Sequence, residues 1–109
     1  MKFECIREKL IEVLVKASRV TSKNLTLPIL QCFLFIVKEN TLTIKATNLD
    51  LGFKYVIPVK VSKEGVIAVP ASVITSYING IQNERNITCE SDENLLKITT
   101  SKGSTSIKL

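Results

Sequence analysis

The chain has 109 residues, of which 45% are hydrophobic, and its 15 basic and 10 acidic residues give a formal charge of +5. Length and composition fit one ordinary globular domain, and no apolar stretch reaches the roughly 20 residues that a membrane helix needs. The first residues also lack the apolar segment of a signal peptide, so we expect a cytoplasmic protein without membrane contacts. The positive charge favours a polyanionic partner but does not identify one.

A strand, a helix and three further strands are predicted for the first half of the chain. Residues 1–5 alternate in polarity, and apolar residues recur at helical spacing over residues 7–20. Extended apolar patterns then predict strands over 29–38, 41–47 and 51–61. The last of these alternates strictly, which predicts that its apolar side chains share one side.

The second half repeats this order. A turn is expected at 62–65, Pro70 presets the backbone for a helix over 71–80, and Gly80 suits the end of that helix. Clusters of turn residues separate the remaining apolar runs. The strands predicted on either side of the helix are 66–69, 86–90, 95–100 and 104–109.

Two units of the order strand–helix–strand–strand–strand are therefore expected within a single domain, over about residues 1–61 and 66–109. We predict an α+β fold of two βαβββ units, in which two helices pack on antiparallel sheets and each half covers a small sheet of its own. The residues expected to face inward from the helices are Leu10, Val13, Leu14, Ala17, Val73, Ile74, Tyr77 and Ile78.

The inventory of reactive side chains supports neither a metal site nor an enzyme. The chain has no histidine and no CxxC, which excludes a zinc site of the usual spacing and any Ser–His or Cys–His nucleophile pair. Cys5, Cys32 and Cys89 are widely spaced within apolar patterns, so we expect buried thiols in a reducing compartment. The acidic cluster at 90–93 is interpreted as a solvated turn. Nucleotide-binding loops are absent from the sequence, and no cofactor is expected.

Four short blocks suggest a family. They are residues 1–3 (MKF), 26–30 (TLPIL), 46–52 (ATNLDLG) and 69–71 (VPA). In this order and spacing the chain closely resembles the first domain of the bacterial DNA polymerase III sliding clamp, the beta subunit. The resemblance implies the DNA-clamp fold, with helices that face a DNA channel and sheets that form the outer rim. It also implies a non-catalytic processivity factor.

A polar stripe on the first predicted helix is the main candidate for a DNA-facing surface. Lys9, Glu12, Lys16, Arg19 and Lys23 follow one another at steps of three or four residues, opposite the apolar face. Lysine and arginine on such a face attract phosphates without reading bases. An ordinary solvated helix face is the alternative, and the resemblance favours DNA.

The second helix offers only neutral groups. The family commonly places an arginine before the TLP block and another at the start of the second helix, and these positions align with Asn24 and Ser72. Because hydroxyls and amides release no counterions, the domain alone is expected to bind double-stranded DNA weakly and without sequence preference. The neutral candidates on this helix are Ser72, Thr75, Ser76 and Asn79.

The last predicted strand is the candidate subunit interface. Ile107 and Leu109 alternate onto one face of it, and Lys108 is its only charged residue, so we expect the two apolar residues to be unprotected. The resemblance implies that this edge pairs with the third domain of another subunit. The alternative is that this strand simply ends the domain and forms no interface.

Two hypotheses of function follow. The first is a domain of a ring that encircles duplex DNA and makes a replicative polymerase processive. The resemblance implies that polymerase and clamp loader bind only the full ring, in a pocket between its second and third domains. The second is a stand-alone α+β interaction module, derived from a clamp, that does not encircle DNA.

Overall fold

The computed structural model describes residues 1–19, 31–47 and 52–109. These residues form two helices and nine strands, in an order that repeats as strand, helix and strands. The helices are α1 (Arg7–Ser18) and α2 (Ala71–Gly80). The strands are β1 (Lys2–Ile6), β2 (Cys32–Lys38), β3 (Thr41–Thr47), β4 (Gly52–Pro58), β5 (Lys60–Lys63), β6 (Gly65–Pro70), β7 (Asn86–Asp92), β8 (Leu95–Thr100) and β9 (Gly103–Lys108).

The two helices pack on two antiparallel sheets, which confirms the predicted α+β class. One sheet has five strands in the order β5-β1-β7-β8-β9, and the other has four in the order β4-β3-β2-β6. The prediction that each half builds its own sheet is wrong, because β1 pairs with β7 and β6 pairs with β2. Strand β1 runs directly into α1, and β6 runs directly into α2. The helix therefore carries the chain across to the other sheet before the next strand begins.

The predicted strand over 51–61 is interrupted at Val59, where the chain passes from the four-stranded to the five-stranded sheet. Pro58 ends β4 and has no N–H to offer a neighbouring strand. Asn40 then fixes the crossing, because its carbonyl oxygen accepts from the Val59 N–H at 3.1 Å and its Oδ1 from the Val61 N–H at 3.4 Å. Tyr55 is 40% exposed, so the expected alternation does not bury every apolar residue of this segment.

One core joins both helices to both sheets. The predicted inward residues Leu10, Leu14, Ile74 and Ile78 are fully buried, and Ala17 lies with them. Tyr77 packs against the core but is only partly buried. Val73 is 48% exposed, which makes the prediction for that residue wrong. It directly precedes Ile74, and neighbouring helical positions differ by about 100° in direction, so the two face different ways.

Arg7 connects the start of α1 to the end of α2. Its Nε donates to the carbonyl oxygen of Ile78 at 3.2 Å, and its Nη2 donates to that of Asn79 at 3.0 Å. Helix α2 has no basic residue in its last turn. Because helix C-termini present unpaired carbonyls and a partial negative charge, a cation from elsewhere stabilises them. Arg7 fills this role from the other half of the sequence.

Replacing Arg7 with methionine should lower the free energy of unfolding by about 1–2 kcal/mol, since both charge-assisted bonds are lost while the aliphatic stem remains. Urea unfolding followed by circular dichroism measures the loss. Arg7→Lys should retain part of the effect. A methionine variant as stable as the wild type would show that these two bonds do not hold the helices together.

Two thiols are buried at diagonal positions of neighbouring strands in the five-stranded sheet. Cys5 and Cys89 lie on the neighbouring strands β1 and β7, and all three cysteines are in the thiol form. Burial, with a smaller contribution from the Glu4 carboxylate, raises the pKa of Cys5 from 9.0 to about 12. Burial also raises the pKa of Cys89 well above its ordinary value, and the neighbouring Cys5 adds to this.

These thiols should make the domain less stable as the pH rises above 9. The folded state keeps the Cys5 proton up to about pH 12, whereas the unfolded chain releases it near its ordinary pKa. Because the unfolded state binds fewer protons in this window, each thiol should reduce stability by up to about 1.4 kcal/mol per pH unit. Urea unfolding at pH 8 to 10 gives the slope of the free energy of unfolding against pH. The difference in this slope between the wild type and Cys5→Ala is the contribution of Cys5. Equal slopes in both proteins would contradict the prediction.

Candidate nucleic-acid interface

Helix α1 presents a basic stripe away from the core. Lys9, Glu12, Lys16 and Arg19 are all exposed, whereas the apolar face of the same helix is buried. Three of them lie in α1 and Arg19 directly follows it, and all four are on one side because they recur every three or four positions. The cations of this stripe are therefore accessible to a phosphate backbone. Lys23, which continues the spacing, and Asn24 lie outside the described residues.

Lys16 is the most constrained cation of the stripe. Its Nζ lies 3.3 Å from Glu12 Oε1 and 5.7 Å from the centre of the Tyr55 ring. The Tyr55 ring in turn stacks on Phe53, at a centroid distance of 6.0 Å. An exposed i,i+4 pair of this kind contributes only about 0.3–0.5 kcal/mol and is screened by salt. A phosphate can thus displace Glu12 at small cost, while Tyr55 keeps the ammonium above the edge of the four-stranded sheet.

Helix α2 contributes a polar but uncharged face. Ser72, Ser76 and Asn79 are exposed at helical spacing, and no acidic or basic residue lies in the first or last turn. Thr75 differs, because its Oγ1 is buried and has no hydrogen-bond partner among the described residues. Its hydroxyl therefore does not reach a surface where DNA could lie. Because α1 and α2 contact each other within one helical layer, the exposed faces of both belong to the same side of the domain.

The candidate interface at β9 differs from the sequence prediction. Ile107 is only 6% exposed and lies opposite the fully buried Leu96, so the expectation that it is unprotected is wrong. Leu109 is partly buried, and its N–H donates to the carbonyl oxygen of Asn94 at 2.7 Å. The alternating pattern of β9 was recognised, but its apolar side faces the core of this chain. What remains available is the backbone edge, since β9 is the last strand of its sheet.

We expect this backbone edge to support weak association between copies of the domain. Ser106 is exposed on β9, and a lysine there should hinder pairing with another strand. Sedimentation at increasing protein concentration should show dimers for the wild type and fewer for Ser106→Lys. Thr99→Lys is the matched control, because Thr99 is exposed on the interior strand β8 of the same sheet. A strictly monomeric wild type would refute the prediction.

Clusters of metal-binding side chains and long apolar helices were both searched for in the described parts of the chain. Residues 1–19, 31–47 and 52–109 contain no group of three or more His, Cys, Asp or Glu side chains that could hold a metal ion. None of the helices in these ranges is long and apolar enough to cross a bilayer. What the arrangement can do is attract an extended polyanion to the side of the domain formed by the two helices.

A comparison with protein families gives this arrangement a context. The family model described as DNA polymerase III beta subunit, N-terminal domain, matches residues 1–108. The chain belongs to this family. No curated protein shows significant sequence similarity to it.

Solved sliding clamps share the fold of this family member over 99% of its length. The DNA polymerase III subunit beta of Bartonella birtlesii bound to griselimycin is 25% identical, with a TM-score of 0.91, over 99% of this chain and 29% of that one. The Helicobacter pylori beta clamp bound to a DNA ligase peptide is 24% identical, with a TM-score of 0.91, over 99% and 30% of the two chains. A putative beta subunit of Eubacterium rectale gives 23% identity and a TM-score of 0.91 over the same shares.

The chain thus spans about 30% of the length of the clamps that it matches. The match is therefore to one part of each of those longer clamps. The prediction of family and of clamp fold is confirmed, whereas the roles of individual residues remain predictions.

Proposed function

We propose that this domain acts within a ring-shaped sliding clamp that encircles duplex DNA and makes a replicative polymerase processive, without catalysing a reaction itself. The observation that carries the proposal is the family match over residues 1–108. The exposed basic stripe of α1 supports it, because a ring that holds DNA by topology needs only a positive, sequence-blind surface on its inner side.

Within this function we assign the DNA-facing role to the helical side of the domain. Lys9, Lys16, Arg19 and Lys23 supply the charge, and Asn24, Ser72, Ser76 and Asn79 supply neutral hydrogen-bond donors. We also propose that β9 forms the subunit interface through its backbone edge, with Leu109 beside it. Ile107 supports this edge from within the core.

We place the protein in the cytoplasm, with duplex DNA and further clamp domains as its direct partners. The Helicobacter pylori clamp was solved with a DNA ligase peptide. By analogy, replicative polymerase and clamp loader would engage the complete ring, in a pocket to which this domain does not contribute.

A stand-alone clamp-derived module that does not encircle DNA is the second candidate. The neutral surface of α2 favours it, because a DNA-facing helix without a cation contributes no counterion release.

The two candidates differ in how the protein leaves DNA. The product of the complete reading frame, loaded on nicked circular DNA, should remain bound in high salt and should slide off once the circle is cut. A stand-alone module should dissociate with rising salt at the same rate from circular and linear DNA. Equal release from both forms would overturn the ring and favour the module.

A further inference from the structure

The outer faces of the two sheets differ in character. In the five-stranded sheet, Lys2, Glu90 and Lys97 lie opposite one another on neighbouring strands, so positive and negative side chains alternate across that face. This is the surface expected of a sheet that only meets water. The four-stranded sheet is built differently.

Apolar residues form a large part of the outer face of the four-stranded sheet. Phe33, Phe35 and Val37 alternate along β2 and point into the core, so Leu34 and Ile36 between them point outward. A row across the four strands contains Val66, Ile36, Thr43 and Val56, in which Val66 is 59% and Val56 is 49% exposed. Large apolar side chains that line up in register on the solvent side indicate a surface that is covered by something else.

The next row adds two lysines and a cavity. Lys45 and Lys54 are directly opposite each other on β3 and β4, and both are exposed. Beside them lies a cavity of about 420 Å³, whose lining includes Cys32, Leu34, Gly52 and Ala68. Like charges at directly opposed positions of an antiparallel pair destabilise it. The only ion pair among the described residues joins Lys16 to Glu12. No acidic side chain of these residues therefore neutralises Lys45 or Lys54.

We propose that this outer face is a docking site for a segment of a partner protein that combines an apolar anchor with acidic residues. The apolar anchor enters the cavity, and the carboxylates lie between Lys45 and Lys54. Because these side chains are roughly 5 Å apart at their Cβ atoms, one carboxylate can contact both ammonium groups. Partner binding thereby removes the repulsion that the free domain carries.

A second copy of this chain fits the site poorly. A two-fold symmetric contact would bring Lys45 and Lys54 of both copies together, and the net charge of +5 adds to the repulsion. The site also lies on the face of the sheet opposite the helices. A partner bound there leaves the basic stripe of α1 accessible, so the inference does not depend on the proposed role in DNA binding.

The test uses defined peptides and fluorescence anisotropy. A short, end-blocked peptide of alternating glutamate and leucine should bind the domain. Two comparison peptides, one with lysine for glutamate and one with serine for leucine, should not. Lys45→Glu with Lys54→Glu should weaken binding by about tenfold or more. Lys2→Glu with Lys97→Glu makes the same change of charge on the other sheet, and it should have little effect.

Two further variants separate binding from stability. A Cβ at Gly52 would meet no atom of the described residues within 4 Å, so Gly52→Val should partly fill the cavity. This variant should leave the domain folded and should weaken its binding of the peptide. Lys54→Glu should raise the temperature of unfolding, because it places an opposite charge beside Lys45, and should also weaken binding.

Three outcomes would overturn the proposal. Equal weakening by both lysine pairs would show general attraction to a basic protein. Equal binding of the serine peptide would show that no apolar anchor is used. A dimer that forms through this face, and that Lys54→Glu strengthens, would show a second copy as the occupant.

Discussion

Replacing Lys9, Lys16, Arg19 and Lys23 with glutamine should abolish retention of the domain on a low-salt DNA column. Each cation that contacts a phosphate releases counterions, so three or four contacts predict a slope of roughly −3 for log affinity against log salt concentration. Without these cations the slope should approach zero. Salt titrations of a labelled duplex, read by anisotropy, measure both slopes. Duplexes of different sequence should give the same result, because the stripe does not read bases.

The control for this experiment removes the same charge elsewhere. Lys60, Lys63, Lys97 and Lys108 are exposed on the five-stranded sheet, and their replacement with glutamine should leave retention nearly unchanged. Glu12→Gln tests the opposite change. It removes the carboxylate partner of Lys16 and should therefore raise the affinity for DNA. If the control variant loses retention to the same extent as the α1 variant, then overall charge rather than the helical face binds DNA.

Replacing Ile107 with lysine should lower the free energy of unfolding by roughly 2–4 kcal/mol. Ile107 is 6% exposed and lies opposite Leu96, which is fully buried. The substitution removes apolar contacts and places an ammonium group next to the core. Chemical unfolding followed by circular dichroism gives the magnitude, and a loss of near-ultraviolet signal at low denaturant would accompany it.

The neighbouring Ser106 separates this effect from any effect on association. Ser106→Lys adds the same charge to the outward side of β9 and should change stability by less than about 0.5 kcal/mol. If Ile107→Lys were as stable as Ser106→Lys, then residue 107 would face solvent. The sequence-based expectation of an unprotected apolar edge would then be correct after all.

Local patterns predicted the elements of this fold well. The helix over 71–80 has the predicted bounds, and the burial of Leu10, Leu14, Ile74 and Ile78 follows from their helical spacing. The exposure of the α1 stripe follows from the same periodicity. That its cations contact DNA is still a prediction.

Tertiary relations were not predictable in the same way. Strand β1 joins the sheet of the second half, and β6 joins the sheet of the first half. Pairings between distant residues, such as Phe3 with Cys89, decide this, and local periodicity does not indicate them. The break at Val59 depends on hydrogen bonds that the oxygens of Asn40, about twenty residues earlier in the sequence, accept from Val59 and Val61. Alternation in β9 separated its two sides, but only the packed structure shows which side meets the core. The lack of a basic residue in the last turn of α2 was a usable sign that a distant cation, Arg7, caps it.

The exchange of strands also sets how this domain must fold. Because β1 pairs with both β5 and β7, the five-stranded sheet needs contacts between residues near opposite ends of the sequence. Contacts of this separation carry a large loop-closure entropy and slow the search for the native state. Neither half can bury its helix on a complete sheet alone, so intermediates with one finished half should not accumulate. A single proteolytic cut near Glu64, between β5 and β6, would leave two fragments, each of which holds strands required by the other.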